Sequence, residues 1–162
     1  SAARREVGRS GDRELERGVG VLRDRRGGAA DRRHRLFARA AREQRSSEVF
    51  EDGQIVRDLV YIDDVVDALF AVIENPATGP RCVDIGSGAG TTILELATKI
   101  AAIFDAPDPI IVPKFRDGDI RAASCDIELA NTELDWRPKW AVDDGLAALI
   151  EWMEEQLATS VP

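Results

Sequence analysis

The distribution of charge divides this chain of 162 residues into two segments of opposite sign. Residues 1–47 hold 14 arginines, no lysine and 7 acidic residues, which is a net charge of +7. Residues 48–162 hold 8 basic and 23 acidic residues, which is a net charge of −15. The first segment has few apolar anchors, namely Leu15, Val19, Val21, Leu22, Leu36 and Phe37. Because so few side chains cannot offset the entropy of ordering a backbone, the sequence predicts a folded domain over residues 48–162 only.

Three interpretations of residues 1–47 stay open. The segment can be a disordered arginine-rich tail that binds RNA or acidic surfaces. Its part Asp31–Arg45 can form an arginine-rich helix on a partner. It can also be an out-of-frame product of a GC-rich gene, in which Arg, Gly and Ala codons dominate many frames. Back-translating Asp31–Ser47 with a shift of one nucleotide permits I-A-A-I-V-S-S-R-A-R-L-A-S-N-A-P-P, and we favour this third interpretation.

Apolar residues after residue 47 alternate between short runs typical of strands and the wider spacing typical of helices. The predicted strands are 48–50, 54–62, 81–85 and 110–112. The predicted helices are 64–74 with Asp63 as N-cap, one that Thr91 or Thr92 caps, a short one from Asp126 to Leu134, and a last one opened by Asp143 or Asp144. Asp52-Gly53 is a typical hairpin turn between the first two strands. Strands and helices in alternation predict an α/β fold.

Composition excludes several classes of function. The net charge of −8 disfavours general nucleic-acid binding, which needs a basic surface. The only histidine, His34, leaves Cys82 and Cys125 few partners for a metal site, so we expect buried, reduced thiols and a cytoplasmic protein. No apolar run approaches the ~18 residues that a membrane span requires, and no signal-peptide pattern occurs, so we expect no membrane partner.

The stretch Gly53–Asp64 joins a tight turn, the pair Arg57-Asp58, a short apolar strand and a double-aspartate helix start. An arginine at a sheet edge presents a planar fork of donors that suits a diphosphate. This order of features resembles the NAD-dependent epimerase/dehydratase family, the extended short-chain dehydrogenases that act on nucleotide sugars. The shifted reading of Asp31–Ser47 also looks like what that family carries before this stretch. The resemblance covers residues 48–157 and implies the C-terminal part of a Rossmann-type fold that lacks its N-terminal dinucleotide-binding half.

A second segment of the resemblance is the loop Arg116-Asp117-Gly118-Asp119. The resemblance implies that Arg57 and Arg116 bind the diphosphate of a nucleotide-diphosphate sugar. It implies that Asp119 accepts a hydrogen bond from a ribose hydroxyl. In the complete family enzyme, bound NAD oxidises the sugar at C4, and hydride return or elimination follows. Such enzymes are commonly homodimers, through helices of the missing half.

The glycine-rich turn Gly86-Ser87-Gly88-Ala89-Gly90 permits three interpretations. It resembles a dinucleotide fingerprint, and it resembles still more the first motif of S-adenosylmethionine-dependent methyltransferases. The acidic ribose ligand of a methyltransferase is missing, because the strand after the turn ends in Pro113-Lys114. The epimerase family carries a similar turn before a Leu-Glu-Leu-Ala-like helix, which here is Leu94–Ala97, although Asp84 stands where Asn is usual. We favour a structural turn.

The catalytic pair of the family is not found in this sequence. That chemistry uses a tyrosine with a lysine four residues later, together with a Gly-x-x-Gly-x-x-Gly turn for NAD. Tyr61 is the only tyrosine, and the residue four later is Val65. We therefore predict no catalytic residue, no tight NAD binding and no turnover by this chain alone. The alternatives are a methyltransferase-like domain and a non-catalytic binding module with a basic N-terminal arm.

Overall fold

The computed structural model describes residues 19–21, 33–75, 82–115 and 118–159. These residues form an α/β fold, as predicted. The strands are β1 (Val19–Val21), β2 (Glu48–Phe50), β3 (Val56–Val60), β4 (Gly90–Thr92), β5 (Ile110–Val112) and β6 (Ala122–Ala123). The helices are α1 (Arg33–Arg42), α2 (Ile62–Glu74), α3 (Ile93–Ile103), α4 (Glu128–Leu134) and α5 (Val142–Thr159). Within this described part, no helix is both long and apolar enough to cross a membrane.

Strand β3 lies at the centre of the larger sheet. Strand β1 pairs with it in parallel, with Val19 opposite Asp58. Strand β4 runs antiparallel to it, with Thr91 opposite Arg57. Strand β6 runs parallel, with Ala123 also paired to Arg57. The Arg57-Asp58 pair therefore lies where three distant segments of the chain meet.

Strand β2 belongs to a second sheet, so the predicted hairpin between β2 and β3 is wrong. Strand β2 pairs in parallel with β5, with Val49 opposite Ile111. The turn itself is present, since the Gly53 amide donates to the Phe50 carbonyl at 3.2 Å. After the turn the chain enters the larger sheet as β3. The Gly53 carbonyl accepts from the Leu94 amide at 3.1 Å, which holds the turn to the start of α3.

The predicted strand 81–85 is also wrong where the structure describes it. Residues 82–85 have no strand, and the strand of this region is β4, after the glycine-rich turn. Cys82 is exposed and Cys125 is partly buried, both as free thiols, which corrects the expectation that both thiols are buried.

The starts of α2 and α3 differ in how they are capped. Helix α3 has a full capping box, because the Thr92 hydroxyl accepts from the Glu95 amide while the Glu95 carboxylate accepts from the Thr92 amide. The prediction of Thr92 as a cap is confirmed. Helix α2 begins one residue before the predicted N-cap Asp63, and its N-cap Tyr61 makes no side-chain cap bond. Asp63 lies instead in the first turn, where its negative charge suits the helix dipole.

Helix α1 packs into the main core, so the predicted boundary between residues 47 and 48 does not separate it from the fold. Phe37, Ala38 and Ala41 join one buried cluster with residues of β3 and α3. Their spacing places them on one face of the helix, and the arginines between them lie on other faces. Residues 1–18 and 22–32 lie outside the described residues, and with them the rest of the predicted tail.

A smaller cluster packs α4 against α2. Trp136 is buried with Ala68, Ala130 and Leu134, and its indole nitrogen donates to the Asp64 carbonyl at 3.1 Å. Asp135 ends α4 in the left-handed conformation, with φ of 51°. Trp136 is therefore a packing anchor between α2 and α4.

Candidate functional site

Arg57 is a buried cation at the junction of β3 and β6. The residue is only 4% exposed. Its Nη1 donates to two carbonyl oxygens, those of Val56 and Ile120, each at 2.7 Å. Its Nη2 lies 3.9 Å from the Asp119 carboxylate, an ion-pair distance. Since an arginine has five donors in one rigid plane, the two carbonyls fix the direction in which the rest of the guanidinium faces.

Asp119 connects this cation to a cavity. A cavity of about 480 Å³ opens between α1, β2 and Asp119. Its wall is largely apolar and includes Phe37, Phe50, Ile55 and Ile93. Apolar walls with a few placed polar groups are typical of sites for small organic ligands.

Of the three predicted site residues, the structure brings Arg57 and Asp119 together. Arg116 and Asp117 lie outside the described residues. The segment after Asp119 is held to the turn before β3, because the guanidinium of Arg121 binds both carboxylate oxygens of Asp52, at 2.7 and 2.5 Å. Hydrogen bonds from Arg121 hold the pKa of the Asp52 carboxyl well below its ordinary value.

Two arginines of α1 and the loop after it add positive charge at the cavity. Arg39 and Arg45 line the cavity, and both bind the carboxylate of Glu43. Their hydrogen bonds, first that of Arg45 and then that of Arg39, lower the pKa of the Glu43 carboxyl. The carboxylates of Glu48 and Asp119 also line the cavity, so the two arginines are balanced by two acidic side chains.

Asp58 points away from Arg57 and holds the glycine-rich turn. It is fully buried. One of its oxygens accepts from the Ser87 amide at 2.6 Å and from the Ser87 hydroxyl at 2.7 Å. The other accepts from the amides of Gly88 at 3.1 Å and Cys125 at 3.0 Å. The carboxylate therefore ties β3 to two loops that lie far away in the sequence.

The hydrogen bonds to Asp58 limit what the glycine-rich turn can bind. A dinucleotide site needs the amides of such a turn to face a phosphate, and it needs a strand directly before the turn. Here the amides of Ser87 and Gly88 already donate to Asp58, and residues 82–85 form no strand. The turn fits neither NAD nor the nucleoside of a methyltransferase cofactor, and the geometry favours the structural interpretation.

Tyr61 does not resemble a catalytic acid. It is buried, and its ring stacks on that of Trp140 with centroids 4.1 Å apart. Among the described residues, no group of three or more His, Cys, Asp or Glu side chains could hold a metal ion.

Sequence reasoning missed the half of the cavity that lies before residue 48. Phe37 and Ser47 belong to the arginine-rich segment that the sequence analysis left outside the folded domain, with an out-of-frame product as the favoured interpretation. A signal was present, because Leu36-Phe37-Ala38 and Ala40-Ala41 fall at helical spacing among the arginines. The role of Asp58 carried no local signal, since its donors lie 29 to 67 residues away.

Comparison with known families matches residues 19–86 to the NAD dependent epimerase/dehydratase family. The dTDP-L-rhamnose 4-epimerase of Burkholderia thailandensis is 42% identical over 122 residues, which are 75% of this chain and 34% of that enzyme. The chain belongs to the NAD-dependent epimerase/dehydratase family. This epimerase-family chain matches from residue 19, so the similarity begins inside the arginine-rich segment and not at residue 48.

Solved structures of the family share the fold. The UDP-glucose 4-epimerase of Thermotoga maritima, with UDP-glucose, is 30% identical with a TM-score of 0.74, over 86% of this chain and 44% of that one. A variant of the Bacillus cereus UDP-glucuronic acid 4-epimerase, in complex with NAD and a fluorinated UDP-sugar, is 25% identical with a TM-score of 0.71, over 86% and 43%. The epimerase-family chain thus spans about a third of that curated relative and under half of these structures.

Proposed function

We propose that this chain supplies the part of an NAD-dependent nucleotide-sugar epimerase or dehydratase that binds the nucleotide diphosphate. The observation that carries the proposal is the buried Arg57 guanidinium, 3.9 Å from Asp119 at the wall of a largely apolar cavity. A cation, a carboxylate and an apolar wall in this order suit the diphosphate, ribose and base of a nucleotide.

Each part of such a ligand has a group of matching chemistry. The base would lie against the apolar wall formed by Phe50 and Ile55. The carboxylate of Asp119 would accept from a ribose hydroxyl, and Arg57 together with Arg116 would bind the diphosphate. Support comes from the relatives, because the Thermotoga maritima structure contains UDP-glucose and the Burkholderia thailandensis relative is a dTDP-L-rhamnose 4-epimerase.

The proposal assigns no chemical step to this chain by itself. NAD supplies hydride chemistry in the family. The glycine-rich turn does not suit the NAD phosphates, because the amides of Ser87 and Gly88 already donate to the Asp58 carboxylate. Tyr61 is buried and Val65 stands where the family's lysine would be. We therefore expect the chain alone to bind NAD weakly and to leave nucleotide sugars unchanged.

Calorimetric titration of the full chain with UDP and with dTDP tests the proposal. We expect saturable binding of at least one of them. Arg57→Lys keeps the charge but removes the planar fork, and hydrogen bonds to charged groups contribute on the order of 1.5–3 kcal/mol. The variant should therefore weaken binding roughly 10- to 100-fold.

Arg137→Lys is the control, because Arg137 is an exposed arginine whose Nε donates to the Asn131 side chain and which makes no ion pair with Asp119. It should bind both nucleotides as the unchanged chain does. Equal affinity of the Arg57→Lys and Arg137→Lys variants would show that Arg57 is not a diphosphate ligand.

A further inference from the structure

Arg121 ties the residues that follow Asp119 to the turn between β2 and β3. Its Nη1 and Nη2 bind the two carboxylate oxygens of Asp52 at 2.7 and 2.5 Å. A second carboxylate, that of Glu51, lies 3.5 Å from Nη1. Two parallel bonds between a guanidinium and a carboxylate form a strong and directional ion pair. Arg121 therefore joins two segments that lie 69 residues apart in the sequence.

The carboxylates bound by this guanidinium are themselves held in place. The Oδ1 atom of Asp52 also accepts from the Gln54 amide at 2.9 Å. Glu51 has a left-handed backbone with φ of 60°, a conformation that is uncommon for residues other than glycine. The turn is joined to α3, because the Gly53 carbonyl accepts from the Leu94 amide. It therefore offers the guanidinium an acceptor whose position is fixed.

Other bonds hold the segment that carries Asp119 to β3. The Nη1 atom of Arg57 donates to the Ile120 carbonyl at 2.7 Å, and the Val56 amide donates to the Arg121 carbonyl at 2.9 Å. The side chain of Arg121 adds a bond in a second direction, toward the turn. A short segment that is held by two separate elements has less freedom to shift than one held by a single strand.

The ion pair between Arg121 and Asp52 lies at the surface, with side chains that are 55% and 54% exposed. Ion pairs of this kind typically contribute little to folding stability. Binding groups, in contrast, have to be held within about 0.5 Å of their productive position. We therefore expect loss of the pair to displace the Asp119 carboxylate, which lies 3.9 Å from Nη2 of Arg57, more than it destabilises the fold.

We propose that Arg121 is a positioning residue of the nucleotide site. It sets where Asp119 stands relative to Arg57, and it acts through Asp119 because its own Nη1 and Nη2 are directed at the carboxylates of the turn. The inference rests on the proposed function, since it needs Asp119 to bind the nucleotide. It adds a residue outside the proposed ligands on which the affinity for the nucleotide depends.

Calorimetric titration of the full chain with UDP and with dTDP tests the inference. Arg121→Gln removes the planar fork, and we expect it to raise the Kd about tenfold, within the range of coupling inside one salt-bridge network. Asp52→Asn keeps an oxygen for the Gln54 amide but weakens the pair, so it should raise the Kd as well. The double variant should bind no more weakly than the weaker of the two single variants, because both remove the same interaction.

Lys139→Gln is the matched control, because it breaks another exposed ion pair between distant residues, that of Lys139 with Asp67 at 2.6 Å. It should bind both nucleotides as the unchanged chain does. A Kd for Arg121→Gln within about twofold of the unchanged chain would overturn the inference. Additive losses in the double variant would overturn it too, since the two residues would then act separately. A merely structural role would lower the free energy of unfolding and leave the Kd of the folded chain unchanged.

Hydrogen exchange without a nucleotide tests the positioning by itself. The Val56 amide donates to the Arg121 carbonyl, so it should exchange faster in Arg121→Gln than in the unchanged chain. The Leu94 amide, which donates to the turn from α3, should keep its rate. Equal rates at Val56 in the two proteins would contradict the inference.

The two experiments separate this inference from the proposed function. Nucleotide binding that Arg121→Gln leaves unchanged contradicts only the positioning role. Binding of neither nucleotide by the unchanged chain contradicts the proposed function and, with it, the role of Arg121 toward a nucleotide. Faster exchange at Val56 would in that case show a contact that serves the fold alone.

Discussion

At the scale of single residues, the adjacent Arg57 and Asp58 act on opposite sides of one strand. Arg57 faces Asp119 and the carbonyl of Ile120. Asp58 faces the glycine-rich turn and the amide of Cys125. Both side chains hold residues 119–125 against β3. A substitution at either residue should therefore also move the loop that carries Asp119.

Asp58→Asn should destabilise the fold. The Asp58 carboxylate has two oxygens that accept from the Ser87 amide and hydroxyl and from the amides of Gly88 and Cys125. An asparagine side chain has only one oxygen, so it can accept from only some of these four donors. Leaving buried donors unsatisfied costs about 1–3 kcal/mol of unfolding free energy, and we expect a loss in that range by urea denaturation. Asp84→Asn, at an exposed aspartate beside the same turn, should change stability by less than about 0.5 kcal/mol. Similar losses of unfolding free energy in both variants would contradict the role of the Asp58 hydrogen bonds in stability.

Cys125 gives a prediction for alkaline pH. Burial, followed by the charges of Asp58 and Asp84, raises the pKa of its thiol to about 11 from 9.0. The folded state therefore prefers the neutral thiol, and its contribution is fully present below pH 9.0 and lost as pH rises toward about 11. Unfolding free energies should fall more steeply over this range in the unchanged chain than in Cys125→Ala. Parallel curves for the two proteins would contradict the assignment.

At the scale of elements, two glycines with positive φ offer a matched test of the turn before β3. Gly53 has φ of +74°, and a Cβ there would lie 2.8 Å from the Cβ of Leu94 in α3. Gly118 has φ of +82° with nothing within 4 Å of an added Cβ. Both positions strain an alanine, but only the first also forces the start of α3 away.

Gly53→Ala should therefore cost more unfolding free energy than Gly118→Ala. Overpacking typically adds about 1–3 kcal/mol to the backbone strain that both variants share. Thermal or urea denaturation of the two variants measures the difference directly. Equal losses would mean that the turn and α3 are not in contact in solution.

The elements also show how far sequence reasoning reaches. Helices α2 and α3 and the strands β3 and β5 follow from local apolar periodicity, and the start of α3 also follows from its Thr92 cap, because both signals are encoded within a few residues. The pairing of β2 with β5 does not, because strand partners about 60 residues apart leave no local pattern. A helix over Asp31–Arg45 was one of three interpretations, but its packing in the core was missed, because the arginine content outweighed a short apolar stripe that is buried only beside α3.

The candidate site could likewise be predicted only in part from the sequence. The positions of Arg57 and Asp119 follow from family resemblance, and the structure places them at one junction. Their roles toward a nucleotide stay predictions. The cavity wall could not be predicted, because it combines residues of α1 and β2 with Asp119, which come together only in the tertiary fold.

At the scale of the whole molecule, the chain has two surfaces on different elements. One is the cavity between α1, β2 and Asp119, for which we propose a nucleotide diphosphate. The other is the outer side of α2, where Val66, Leu69, Phe70 and Ile73 are exposed.

The most direct test of the nucleotide-binding role is nuclear magnetic resonance mapping of the 17.8 kDa chain during titration with UDP and dTDP. We predict saturable amide shifts at Ser47–Phe50 and at Asp119 and Ile120, with the amides of residues 66–73 in α2 unchanged. Shifts centred on Gly86–Gly90, or no saturable shift with either nucleotide, would contradict the proposal that this cavity is the nucleotide-sugar site.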